Sequence, residues 1–263
     1  MSRGECNRRT MLVRRIFRWG VAEELVPPAV IQGLSAITGL QRTAAREPEP
    51  VRPADPAAVA KAIPFLPPPL AALVRLQTLT GARGGELLGL KAADIDRSGD
   101  VWTYSPAHHK GSWQGKSRTI YFGREAQSVL APIILRAGDG FLFSPARAEL
   151  DRRADGSAAR TTKLWPSHAE RNRKKRKRKP KRTPGETYTR DSYRIAIRRA
   201  CERAGVEPFR PHRLRHLTAM TIREKFGVEH ARAALGHSLA SMTQIYSRDA
   251  DGKLAREVAA KVG

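Results

Sequence analysis

Residues 211–227 read P-H-R-L-R-H-L-T-A-M-T-I-R-E-K-F-G. The spacing predicts a helix ending at Gly227, with Leu214, Leu217 and Ile222 on the side that meets a core. His212 and Arg215 are three apart and share a face, and His216, four from His212, can share it too. Just before this stretch, Tyr193, Ile195, Ile197, Ala200 and Cys201 fall at helical spacing in a helix that ends at Gly205. Just after it comes L-G-H-S-L-A-S-M-T-Q-I-Y (235–246), and far upstream lies T-G-A-R-G-G-E-L (80–87).

Working towards the N-terminus, Asp55 can cap a helix that has Pro56 in its first position, and a compact domain is expected to start there. After Pro67-Pro68-Pro69 a second helix carries Leu70, Leu73, Val74 and Leu76 and ends at Gly81. Glu86–Leu90 begins another helical turn, and Asp94–Gly99 reads as a turn. Val101–Tyr104 and Thr119–Phe122 are β-like runs joined by a long polar stretch, which predicts a hairpin. Gln127–Leu135 is apolar at helical spacing. The fold class is mainly α with a small antiparallel β-sheet.

The first forty residues hold helical pieces. Leu12, Val13, Ile16 and Trp19 lie on one face with Arg14, Arg15 and Arg18 on another, and Pro27-Pro28 interrupts before Val30, Ile31 and Leu34 resume the pattern. That is too little to bury a core. Residues 43–54 have no periodicity and read as a linker. The domain expected over 55–263 carries a basic insertion near 151–185. Within it, Arg171, Arg173, Lys174, Lys175, Arg176, Lys177, Arg178, Lys179, Lys181 and Arg182 leave only Asn172 and Pro180 uncharged between 171 and 182. Self-repulsion and the lack of apolar residues predict disorder without a partner. The run reads either as a solvated loop insertion or as a tether for DNA phosphates.

The chain has 263 residues with 40% hydrophobic residues, enough for a core, and a formal charge of +24 that favours a polyanionic partner. Cys6 and Cys201 are far apart, which argues against a disulfide framework or a zinc ribbon and suits a reducing compartment. No apolar run reaches membrane-spanning length and no signal-peptide core is present, so a soluble, cytoplasmic protein is expected, on the nucleoid and off the membrane.

Six residues taken in chain order assemble one chemistry: Arg83, Lys110, His212, Arg215, His237 and Tyr246. A nucleophile, two guanidiniums, two imidazoles and an ammonium are the groups needed to break a phosphodiester without a metal. Arg83 stands at a helix start, where backbone N–H groups also favour an anion, and Glu86 can brace its guanidinium. H-x-x-x-H at 212–216 also suits a zinc pair, but Arg213 follows His212 where a metalloprotease has glutamate. In H-H-K-G-S-W-Q-G-K-S-R-T-I (108–120) Lys110 is preferred as the ammonium and Lys116 is its rival.

T-G-A-R-G-G-E-L, H-R-L-R-H and L-G-H-S-L-A-S-M-T-Q-I-Y, in this order, resemble the catalytic domain of the phage integrase family of tyrosine recombinases over residues 55–263. The family's lysine sits on a β-hairpin ahead of a glycine, as Lys110 does here. The resemblance implies that Tyr246 attacks a DNA phosphorus to form a 3′-phosphotyrosine and that Arg83 and Arg215 hold the non-bridging oxygens. It further implies that His212 takes the tyrosine proton, Lys110 protonates the leaving 5′-oxygen, and His237 donates to the phosphate. Neither metal, ATP nor any other cofactor is implied, and the expected partners are double-stranded DNA and three further copies of the chain, as a tetramer on DNA. Family members carry a full N-terminal helical domain, so residues 1–42 would be its remnant and the chain truncated, which bears on unaided site recognition. The apolar stripe Leu254, Val258 and Val262 reads either as a helix packed on its own domain or, as the resemblance implies, as one that docks on a neighbouring protomer. A type IB-like topoisomerase and a non-catalytic, basic DNA-binding remnant of an integrase stand as alternatives.

Overall fold

The computed structural model describes residues 1–107, 115, 117–163, 165–175 and 183–236. The chain divides into two compact units, Met1–Val51 and Arg52–Gly263.

The first unit holds α1 (Arg3–Ala22) and α2 (Pro28–Ser35). The Ser2 hydroxyl accepts from the Glu5 amide and caps α1, and α2 starts on the second of the two prolines, where a missing N–H costs nothing. Polar cross-links tie the pieces together. Arg14 Nε donates to the Leu34 carbonyl at 2.8 Å, the Asn7 amide exchanges two hydrogen bonds with Leu40, and Arg3 pairs with Glu47. Within this unit only Gly20 is fully buried, and Leu12, Val13, Ile16 and Trp19 stand exposed.

The second unit opens with α3 (Pro56–Ala62), where the Asp55 carboxylate accepts from the amides of Ala57 and Ala58 at 3.1 and 3.2 Å. A 3-10 turn leads into α4 (Pro68–Thr80), whose Leu70, Leu73, Val74 and Leu76 are all buried. Next come α5 (Gly84–Leu88), the three short strands β1 (Ile95–Asp96), β2 (Trp102–Tyr104) and β3 (Ile120–Phe122), and α6 (Arg124–Ala137). Then follow α7 (Pro145–Ala158), α8 (Pro166–Lys175), α9 (Arg190–Ala204), α10 (Pro211–Phe226) and α11 (Val228–Leu235). Both α6 and α10 pack on α4, and α11 packs on α10. Among the described residues the fold is mainly helical with one three-stranded antiparallel sheet in the order β1-β2-β3.

The register explains the sheet's place. Ile95 pairs with Tyr104 and Tyr104 with Ile120, so one cross-strand row is buried against the helices, while Tyr121, one residue out of phase, faces solvent. β1 corrects the reading of Asp94–Gly99 as a turn alone. Ile95 is apolar enough to join the buried row, and the turn proper is the Asp96 carboxylate accepting from the Ser98 amide at 3.0 Å.

Two further expectations change. Disorder across the basic run does not hold for Arg171, Arg173, Lys174 and Lys175, which lie in the last turns of α8. Cations near a helix C-terminus are favoured by the peptide dipoles, and Glu170 pairs with Lys174 at 3.1 Å one turn on. In α10 Leu214 is buried as expected, but Leu217 and Ile222 are only half-buried, and Arg215, His216, Thr218, Ala219 and Arg223 take the inner positions. Among the described residues no helix is long and apolar enough to cross a membrane.

Gly81 closes α4 with φ +63°, and a β-carbon there would lie 2.5 Å from Leu235 Cδ2. Gly81→Ala is expected to cost about 2 kcal/mol in urea denaturation, from the left-handed backbone and the crowding together. The cost should fall when Leu235→Ala is introduced first, which makes the pair less than additive.

Candidate active site

The turn after α4 places the first arginine. Gly81 donates its N–H to the Gln77 carbonyl and reverses the chain, and Arg83 becomes the residue that precedes α5 with extended backbone. The Glu86 carboxylate accepts from the Arg83 amide at 2.9 Å and from Arg83 Nη1 at 2.7 Å. Glu86 is buried, whereas the Arg83 side chain keeps 31% of its surface. A second guanidinium, that of Arg118, lies with Nε 3.9 Å from the same carboxylate. Burial pushes the Glu86 pKa up, but the hydrogen bonds from Arg83 and the charges of Arg83 and Arg118 outweigh it and hold the group below the usual carboxylate range.

The second arginine comes from α10. Arg215 is 1% exposed, and its guanidinium donates from Nη1 to the Gly81 carbonyl at 2.6 Å and from Nη2 to the Leu235 carbonyl at 2.7 Å. One side chain therefore bridges the turn that carries Arg83 and the end of α11. His212 lies one turn earlier on α10, exposed, and its ring meets that of His216 edge to face with centroids 4.9 Å apart. His216 is buried; burial and the charges of His212, Arg215 and Arg213 push its pKa down to about 4, so its ring is neutral at neutral pH.

Buried polar links set the angle of α10 against α4. The Tyr193 hydroxyl donates to Gln77 Oε1 at 2.9 Å, and Gln77 Nε2 donates to the Pro211 carbonyl at 2.9 Å. Further along, the Thr218 hydroxyl donates to the Thr78 carbonyl at 2.7 Å. Burial raises the Tyr193 pKa, so that phenol stays a donor. Tyr104 donates to the Glu86 carbonyl at 3.3 Å, and burial with the charges of Asp94 and Glu86 pushes its pKa up to about 12.

Arg215 thus reaches the carbonyl of Gly81, two residues before the Arg83–Glu86 pair begins, with His212 on the same helix as Arg215. Lys110, its rival Lys116, His237, Tyr246 and the tail with Leu254 lie outside the described residues, as do Arg176, Lys177, Arg178, Lys179, Lys181 and Arg182. Arg171, Arg173, Lys174 and Lys175 are exposed on α8. Sequence reasoning missed Gln77, Tyr193 as a polar link, and Arg118. For Arg118 a signal existed: it is in phase with Ile120 and Phe122, the buried alternation of β3, so a charge was pointed at the core. Gln77 lies among the buried leucines of α4 and carried a weaker signal of the same kind.

The sequence model of the phage integrase family matches residues 61–253. A curated relative, the tyrosine recombinase XerD of Ralstonia nicotianae, is 26% identical over 254 residues, 94% of this chain and 70% of that protein. Among solved structures, a lambda integrase dimer bound to a COC′ core site is similar with a TM-score of 0.61 at 15% identity, over 94% of this chain and 74% of that one. The XerH site-specific recombinase bound to a palindromic difH substrate gives 0.51 at 18% identity over 86% of this chain, which spans 57% of that protein's chain. At these identities the structural likeness shows the fold, that of tyrosine recombinase catalytic domains.

The lowered pKa of Glu86 carries a sign. Its ionised form stabilises the fold above the ordinary carboxylate range, and that contribution is lost as pH falls through the lowered value. Glu86→Gln should cost roughly 2 kcal/mol at pH about 7, less than a fully buried pair because Arg83 is part-exposed. Urea denaturation repeated at pH about 3 should show the gap between the variant and the wild type narrowing.

Proposed function

The chain belongs to the phage integrase family, and we propose that it is a site-specific DNA recombinase that cuts and rejoins double-stranded DNA through a 3′-phosphotyrosine. The observation that carries this reading is the hydrogen bond from Arg215 to Gly81. It brings the H-R-L-R-H helix onto the T-G-A-R-G-G-E-L turn across 134 positions of sequence, so that the Arg215 guanidinium reaches the carbonyl two residues before Arg83. Two such forks match the non-bridging oxygens of one phosphate and offset the charge that grows there as the phosphorus gains a fifth oxygen.

The Tyr246 oxygen attacks phosphorus, the bond to the 5′-oxygen breaks as the new P–O bond forms, and the bond energy stays in the covalent link. His212 takes the tyrosine proton, and Lys110 supplies one to the departing 5′-oxygen. His237 donates to the phosphate. Rejoining runs the same steps backwards from a 5′-hydroxyl of a partner strand. Protons and oxygens balance within these groups, so neither metal nor ATP has a step to perform. Four copies on two duplexes supply the four tyrosines that a full exchange uses and that rejoining releases. The net charge of +24 and the exposed basic face of α8 supply the attraction to phosphates.

The target duplex is to be found by capture. DNA fragments tiling the region around the reading frame are incubated with protein, and covalent adducts are isolated and sequenced. A nicked version of the recovered duplex then traps the adduct on a denaturing gel. Tyr246→Phe should bind this DNA and form no adduct; an adduct that persists would place the nucleophile elsewhere. Arg215→Lys keeps a charge but loses the fork, and cleavage should fall about a hundredfold or more with binding changed far less. A chelator should leave the wild-type rate unchanged, whereas inhibition that zinc reverses would favour metal binding at His212 and His216.

The basic run makes a separate prediction. Replacing the ten Lys and Arg between 171 and 182 with Gln should weaken non-specific DNA binding and flatten its dependence on log salt, by about 0.9 for each phosphate that is no longer neutralised. A titration at several salt concentrations checks this, and an unchanged slope would mean that the run touches no phosphates.

A further inference from the structure

Arg118 has no part in the mechanism above, yet it is one of the buried charged residues of the unit. Its side chain is 5% exposed, just ahead of β3. From there Nη1 donates to the Ala234 carbonyl at 3.2 Å, in the last turn of α11 and three positions before His237. The guanidinium also lies against Gly236. A β-carbon there would stand 2.5 Å from Nη1 and 3.1 Å from Cζ, and Gly236 itself has φ +63°. On its other side Nε faces the Glu86 carboxylate at 3.9 Å, an ion-pair distance too long for a hydrogen bond. Nε and Nη2 are both buried without a hydrogen-bond partner among the described residues. A buried cation left part-satisfied costs stability, so packing alone does not account for its presence.

Electrostatics supplies a reason. Glu86 is a single negative charge in contact with Arg83. Alone, that pair is neutral, and a neutral pair attracts a phosphate weakly. With Arg118 on the same carboxylate the trio carries a net charge of about +1, and in a site of low dielectric that difference is large. Arg118 also ties the brace of Arg83 to the end of α11, so the two pieces of backbone that receive the Arg215 guanidinium move together.

We infer that Arg118 is a positioning residue for strand cleavage: it shares Glu86 with Arg83, keeps Arg83's charge available to the scissile phosphate, and locks the turn before His237 against that pair. The inference rests on the recombinase reading. It names an electrostatic role transmitted through Glu86 and Arg83, not a contact with DNA.

The test uses the nicked duplex recovered by capture and a version with a methylphosphonate at the scissile position, which removes the negative charge that Arg83 must meet. On the phosphate duplex Arg118→Gln should form adduct at least about tenfold more slowly than wild type, with DNA affinity changed by less than about threefold. Arg118→Lys, which restores the charge, should recover most of the rate. On the methylphosphonate duplex the Gln defect should shrink to about threefold or less, because the charge to be balanced is gone. If Arg118→Gln does not fold, Arg118→Met, which fills the same space without a charge, carries the test, and its adduct rate on the phosphate duplex should fall at least about tenfold.

A Gln variant that cleaves like wild type overturns the inference. So does a defect of equal size on both duplexes that Lys does not relieve, or a Met variant that folds and cleaves like wild type. If wild-type protein forms no adduct on any captured duplex, the recombinase reading itself fails, which separates the two outcomes.

Discussion

The second unit's site depends on a cation held by dipoles. Arg215 is almost wholly enclosed, and the backbone carbonyls of Gly81 and Leu235 aim its guanidinium. Both lie at helix C-terminal ends, where unsatisfied carbonyls and the peptide dipoles gather partial negative charge. These two carbonyls orient the fork through dipoles that carry no net charge of their own. The same two bonds join the turn after α4 to the end of α11, so the geometry of the site and the docking of three helices are one constraint.

Arg83 is handled in the opposite manner. Its partner is a full carboxylate, Glu86, which also accepts the Arg83 amide and so fixes the backbone at the head of α5. Around these groups the unit buries Arg118, Arg215, His216 and Arg223 with Glu86. Burial, and after it the crowding of like charge, disfavours the ionised form, and His216 answers by giving up its proton until the pH nears 4. The arginines cannot do so. Carbonyls sustain the burial of Arg118 and Arg215, and the Glu86 carboxylate assists Arg118, while Tyr193, Gln77 and Thr218 hold α10 against α4 at the right angle.

Much of the scaffold was legible in local signals. Asp55 with Pro56, and the glycines at 81 and 205, marked helix ends because capping and left-handed backbone depend on single residues. The β-like runs Val101–Tyr104 and Thr119–Phe122 marked two strands of the sheet. β1 was missed because a two-residue strand has no period of its own, and only pairing with Tyr104 makes Ile95 part of a sheet. The helical start of the basic run was missed because net charge argued for solvation, while the dipole and the Glu170–Lys174 pair act over one turn and favour a helix. In α10 the apolar pattern pointed to Leu217 and Ile222, but polar neighbours with long-range partners claimed the inner face.

By itself the sequence determined the roster of chemical groups, their order, the ends of most helices and the family to which the chain belongs. These are properties of short strings, set by propensity, capping and motif spacing. Which residues share a carboxylate, and which carbonyls receive Arg215, was decided by the tertiary structure alone. Gly81, Arg118, Arg215 and Leu235 come from four separate places in the chain, and nothing in their local sequence encodes a distance between them. That distance follows from how α10 packs onto α4 and α11 onto α10 through buried surface and a few polar links, and such packing is a property of the whole fold.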